Sequence, residues 1–231
     1  MPFTPASTAS LVAFVSIVVG VIGLFLGGVR HAYRGDPPVA RRVTNRTALG
    51  LGIWLGLIGT LVASGRMPTL PLGGFPIFFG SVALVSLATG LSPLGGRLAA
   101  GVPLAALVGF HSFRLPLELV LHQWAAQGTI PTTMTWSGQN WDIISGLAAL
   151  LAAPLANRHR AAAWAAHLIG SVLLVNVIRV AVLSAPVPFG WGVTPPLVVA
   201  WHLPYALVGP VCVGGAITGH IVLMRALVQR A

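Results

Sequence analysis

Long apolar runs separated by short polar connections make up nearly all of the chain. Seven such runs fall near residues 9–28, 47–65, 74–92, 98–113, 142–157, 161–184 and 201–224. A helix needs about 20 residues to cross a hydrocarbon core of about 30 Å, and these runs reach or approach that length. The fourth and fifth are the shortest, and both flank the one long polar connection. The pattern predicts an all-α, polytopic transmembrane helix bundle of about seven spans, a single integral membrane domain over 1–231. The first run has no basic residues before it and no small-residue cleavage site after it, so it reads as a retained span rather than a secretion signal.

Charge sharpens this picture. Only 7% of the 231 residues are charged and 56% are hydrophobic, whereas a soluble domain carries about 25% charged residues. All thirteen basic residues are arginines, set against three acids, Asp36, Glu118 and Asp142. The net charge of +10 is carried by connections between apolar runs, the placement of topology signals and of contacts to anionic headgroups. A nucleic-acid partner would require a basic patch on a soluble surface, and no segment is left over to build one. With the N-terminus outside, Arg30, Arg34, Arg41, Arg42, Arg46, Arg97, Arg158, Arg160, Arg225 and Arg230 fall on the cytoplasmic side. Only Arg66 and Arg114 fall opposite. That bias predicts an N-out, C-in topology.

The polar residues collect toward the outer side. Arg179, in VNVIRVAVL, sits in an apolar run about five residues from the outer end of the sixth span, roughly 7–8 Å at 1.5 Å per residue. Such an arginine either snorkels to the headgroups or faces the bundle and is paired there. Asn176, three residues earlier, can face the same side. In the external connection 111–142, Pro116 suits the first turn of a helix, so about 115–127 reads as an amphipathic helix in the interface. Glu118 and His122 are four apart and can bond to each other. His111 and Arg114 would continue that stripe, but Pro116 is expected to break the helix first. The stretch from Thr129 to Asp142 has turn-rich composition and suits a hairpin. Trp124, Trp136 and Trp141 fit an interfacial belt. Asp142 opens the fifth span, either as a helix cap or as counter-ion to Arg179, and one carboxylate can do both. The second external connection, 185–204, holds five prolines and is expected to be an irregular lid. His202 lies at its end, as an interfacial anchor or a catalytic base.

The other half of the bundle looks different. His167 lies about 180° and 120° around the helix from Asn176 and Arg179, so no polar stripe runs down the sixth span, and His220 reads as interfacial. Gly52, Gly56 and Gly59, and likewise Gly215 and Gly219, suit close helix packing. The lone Cys212 allows no disulfide or thiolate site within one chain. The seven histidines form no ligand motif, so neither metal nor cofactor is expected.

Two resemblances add to this reading. WDIISGLAALLAAPLANRHR followed by VLLVNVIRVAVLSA resembles the core of the exosortase/archaeosortase family, multi-pass membrane transpeptidases or proteases that process sorting signals on the outer side of the membrane. Asn176 and Arg179 match that family's Asn-x-x-Arg motif, Ile144-Ser145-Gly146 aligns with its Cys-Ser-Gly-like motif, and His202 is a candidate for its later histidine. Isoleucine stands at the position of the family's cysteine, so cysteine transpeptidase chemistry is not expected. From about residue 100 onward, FRLPLELVLH, WSGQNWDIISGL and LSAPVPF also resemble uncharacterised bacterial membrane proteins, which implies the bacterial plasma membrane.

The leading expectation is an integral membrane protein with an outward-facing polar pocket, exosortase-like in scaffold. Arg179, Asn176, Asp142 and Glu118 would hold a peptide tail or lipid headgroup. Two alternatives stand beside it. One is a hydrolase or transferase on the outer face, with Ser145 as nucleophile and Glu118, His122 or His202 as base. The other is a small proton-coupled transporter.

Overall fold

In the computed structural model, which describes residues 3–229, the apolar runs are helices. α1 (Thr8–Ala32) is capped by Ser7, whose hydroxyl accepts from the Ser10 N–H. α2 (Pro37–Ala63) is capped by Asp36, which accepts from the Val39 N–H, and places proline in its first turn, where a missing N–H costs nothing. α3 (Phe75–Leu91) and the short α4 (Pro93–Gly101) follow. α5 (Leu104–Phe110) continues through a 3₁₀ turn, His111–Phe113, into α6 (Arg114–Ala126). α7 (Ile143–Ala152) is extended by a 3₁₀ turn to Leu155. α8 is Arg160–Ser184, and α9 (Gly214–Gln229) is approached through a tight turn, Tyr205–Val208, and a π turn, Gly209–Val213.

Among the described residues six helical rods are long and apolar enough to cross a membrane: Thr8–Ala32, Pro37–Ala63, Pro71–Leu91, Leu104–Ala126, Arg160–Ser184 and Tyr205–Gln229. The helix Ile143–Leu155 is apolar but shorter, about 20 Å at 1.5 Å per residue. The outward-turned side chains are those expected against acyl chains. Leu49, Ile53 and Leu57 on α2 are exposed at four-residue spacing, as are Leu168 and Val172 on α8, with Val175 one position short of the next turn. α9 is the central helix, packed against α3, α4, α5 and α8.

The two ends of the bundle are defined by their contacts. At one, Arg34 donates to the Gly101 carbonyl, Arg160 to the Leu227 carbonyl, and Arg225 to the carbonyls of Gly90 and Ser92. At the other, Ser7 bonds Gln127, the Ala6 N–H donates to the Tyr205 hydroxyl, and Trp201 donates to the Gly73 carbonyl. The first is the arginine-rich end. Arg230, assigned to it above, lies outside the described residues.

Several expectations need correction. The fourth span is Leu104–Ala126, not 98–113, and the stretch 115–127 is its continuation rather than a separate interfacial helix. Pro116 does not break it, because the 3₁₀ turn 111–113 restarts the ladder just before it. The hydrogen bond Pro116 cannot make falls at that joint. The stretch Thr129–Asp142 contains no strand. It is a compact turn around a 3₁₀ segment at Thr132–Met134, closed by the Gln139 N–H on Thr133 and the Asn140 N–H on Thr135. Ile130, Met134 and Asn140 are buried, so it plugs the arginine-poor end, and Trp124 is a core residue rather than part of a belt. A Cβ at Gly52, Gly56 or Gly59 would meet nothing within 4 Å, so within this chain those glycines do not serve close packing. Gly219 does, lying hard against His111. The 185–204 connection is irregular apart from one 3₁₀ turn, Val199–Trp201.

Gly146 joins α7 to the α5–α6 rod, since a Cβ there would press onto the Leu115 backbone, 2.8 Å from its Cα. Gly146→Ala is expected to destabilise the protein by about 1–3 kcal/mol through overpacking. Gly52→Ala, pointing into open space, is expected to cost nothing. Thermal unfolding in detergent distinguishes the pair, and equal midpoints would contradict the assigned contact.

Candidate functional site

The polar residues form two connected groups. The inner one is built on Arg114, near the middle of the Leu104–Ala126 rod and 1% exposed. Its Nε donates to Asp142 Oδ2 at 2.6 Å, and one terminal nitrogen meets Oδ1 of the same carboxylate, a two-pronged ion pair. The other terminal nitrogen donates to the Gly170 carbonyl at 3.0 Å and contacts His220 Nε2 at 3.2 Å. Gly170 is needed for that approach, because a Cβ there would lie 2.6 Å from His220 Cε1.

A guanidinium only donates, which fixes the hydrogens beyond it. His220 Nε2 must accept, so its proton sits on Nδ1 and points to His167 Nδ1 at 3.3 Å. His167 in turn carries its proton on Nε2. His111 stacks on the His220 ring, centroids 3.9 Å apart. His111, His167 and His220 therefore face the bundle and not the interface. This corrects the reading of a featureless inner half.

Glu118 lies one turn beyond Arg114. Its Oε1 accepts from Asn140 Nδ2 at 2.8 Å, and Asn140 Oδ1 accepts from the Asp142 N–H at 3.2 Å. Glu118 Oε2 and Trp124 Nε1 are buried and have no hydrogen-bond partner among the described residues. Both residues line a cavity of about 60 Å³, along with Arg114, Asp142 and Tyr205. That volume takes roughly four water-sized molecules.

The outer group is built on Arg179, which is exposed at the arginine-poor end. Asn176 Oδ1 accepts from its Nε at 3.3 Å and from Nη2 at 2.9 Å, and Gln139 Oε1 accepts from Nη2 at 3.3 Å. The guanidinium lies 5.4 Å from the Trp191 ring centroid, within cation–π range. Asn176 Nδ2 donates to the Gln139 carbonyl at 2.7 Å. Asp142 is thus not the counter-ion of Arg179, because Arg114 takes both its oxygens. Nor does its side chain cap α7, although it occupies the cap position.

The remaining sequence candidates lie apart. His122 does not bond Glu118; it stacks on Trp136, centroids 4.1 Å apart, while Asn140 holds the carboxyl. His202 stacks on Phe3 at 3.9 Å, and partial burial lowers its pKa. Ser145 is buried with its hydroxyl unpartnered, so no base is bonded to it among the described residues. Ile144 is half exposed. Sequence reasoning missed Arg114 as the ionic partner, and with it Gln139, Asn140, Trp191 and the three histidines. The spacing of His111, Arg114 and Glu118, three and then four residues apart, was the available signal.

Arg114→Met leaves a buried carboxylate unpaired and is expected to cost about 3–5 kcal/mol of stability. Arg114→Met combined with Asp142→Leu removes both charges and is expected to recover most of that loss. A double-mutant cycle by thermal unfolding checks it, and additive losses would contradict a direct pair.

Residues 75–228 match the model of a family described as a domain of unknown function, DUF8737. No curated protein and no solved structure matches the chain.

Proposed function

This chain belongs to the DUF8737 family, a domain of unknown function, and from that premise we propose that it is a bacterial plasma-membrane protein with an outward-facing anion site at Arg179. The site takes a carboxylate, as at the end of a peptide tail, or the phosphate of a lipid headgroup. One observation carries this reading: Arg179 is steadied by Asn176, Gln139 and the Trp191 face, yet it has no carboxylate partner among the described residues. Its Nη1 has no protein hydrogen bond among the described residues, so the donor fork of the guanidinium is positioned but not neutralised. The bias of arginines toward the opposite end supports an outward placement. The exosortase-like reading of the scaffold belongs to this proposal. Its support is the joined Asn176–Arg179 pair together with Ile144-Ser145-Gly146 at the start of α7.

The hydrolase alternative has Ser145 in a buried position without a bonded base, which gives it less support. The transporter alternative has one observation in its favour, a chain of contacts from Glu118 through Asn140, Asp142, Arg114 and His220 to His167. The guanidinium in the middle of that chain keeps its protons, so hopping along it is interrupted there.

The test is binding to the protein in zwitterionic nanodiscs. A short apolar peptide with a free C-terminal carboxylate is expected to bind better than its amide, or else added phosphatidylglycerol binds at the outer leaflet. Arg179→Ala is expected to weaken whichever anion binds by about 10- to 100-fold, the value of hydrogen bonds to charged groups. Equal binding of acid and amide, with no response to the lipid, would overturn the proposal.

A further inference from the structure

A second site lies at the opposite end of the bundle and does not depend on Arg179. Between α1, α4, α5 and α9 the protein is open along one side as a trough of about 520 Å³. Its walls are apolar, with Leu24, Phe25, Leu98, Leu107 and Val222 among them. It is open rather than a packed seam, because a Cβ on Gly23 or Gly27 would meet nothing within 4 Å. α9 forms the other side with Gly215 and Gly219.

The trough has the depth of one leaflet. From Gly23 to His31 it follows α1 for eight residues, about 12 Å, against about 15 Å for half a hydrocarbon core. Its volume over that length gives a cross-section of roughly 40 Å², about half or less of that of an α-helix 10–12 Å across. A slim, flexible hydrocarbon chain suits such a space better than a protein helix does.

The polar end of the trough is cationic. His31 lines it, and Arg34 Nη1 donates to His31 Nε2 at 2.7 Å and to the Gly101 carbonyl at 3.1 Å. Nε and Nη2 of Arg34 have no hydrogen-bond partner among the described residues, and Arg30 is exposed one turn earlier on α1. The nearby acid in sequence, Asp36, is committed to the cap of α2. We propose that this trough holds one acyl chain of an anionic phospholipid from the cytoplasmic leaflet, with its phosphate on the free edge of Arg34. The apolar walls supply the burial, and the anchored guanidinium supplies the preference for negative charge.

The experiment uses delipidated protein in detergent, titrated with phosphatidylglycerol or phosphatidylcholine of the same acyl chains and read by native mass spectrometry. The intact protein is expected to retain phosphatidylglycerol in preference. Arg34→Gln is expected to reduce that affinity about fivefold, the weight of one arginine near an anionic headgroup, and to erase the preference. Gly27→Leu sets its Cβ in open space and its side chain into the trough, and is expected to displace both lipids. Arg179→Ala is expected to leave phosphatidylglycerol binding here unchanged, which separates this site from the outer one. Equal retention of the two lipids by the unaltered protein, or undiminished binding by Gly27→Leu, would overturn the proposal.

Discussion

The structure is organised around a charge that cannot be discharged. Arg114 stands about 15 Å from one end of its rod and 18 Å from the other, where an unpaired guanidinium is least tolerated. Its neighbours come from three further helices: the Asp142 carboxylate at the head of α7, the Gly170 carbonyl on α8 and the His220 ring on α9. Each neighbour requires the helix that carries it to approach closely, and glycine is placed where that approach is tightest, at 146 and 170. The pair and the packing are therefore one constraint. A bundle that separated these helices would leave an ion in hydrocarbon.

The short segment Gln139–Asp142 connects this interior to the exterior. Gln139 bonds Asn176 and Arg179 at the surface, Asn140 bonds Glu118 in the interior, and Asp142 holds Arg114. Four consecutive residues thus set the position of both arginines. The exposed guanidinium owes its fixed orientation to a turn that is itself anchored by the buried ion pair.

Much of the fold was legible because acyl chains impose a simple rule on sequence: long apolar runs become long helices, as in α1, α2, α3 and α8. The rule failed where polar residues face protein instead of lipid. Arg114, Glu118 and His122 lower the hydropathy of 111–126 and mimic an interfacial segment. Yet Arg114 and Glu118 are nearly inaccessible, and the rod continues past Pro116. Once that helix was ended early, Arg114 was placed outside and Asp142 was assigned to the wrong arginine. The surface pair Asn176–Arg179 could be read from a three-residue spacing on one helix. Gln139 and Trp191 come from connections whose path no periodicity records, and the meeting of His111, His167 and His220 depends on how three helices rotate.

α7 has a further consequence for the surrounding bilayer. Its lipid-facing side chains, Ile144, Leu147, Leu150, Leu151 and Leu155, make a greasy band of about 16–17 Å, well short of the acyl thickness beside the longer rods. Such hydrophobic mismatch is relieved by local thinning at a cost of fractions of a kcal/mol per Å. On that flank the headgroup plane is expected to dip toward the protein's middle.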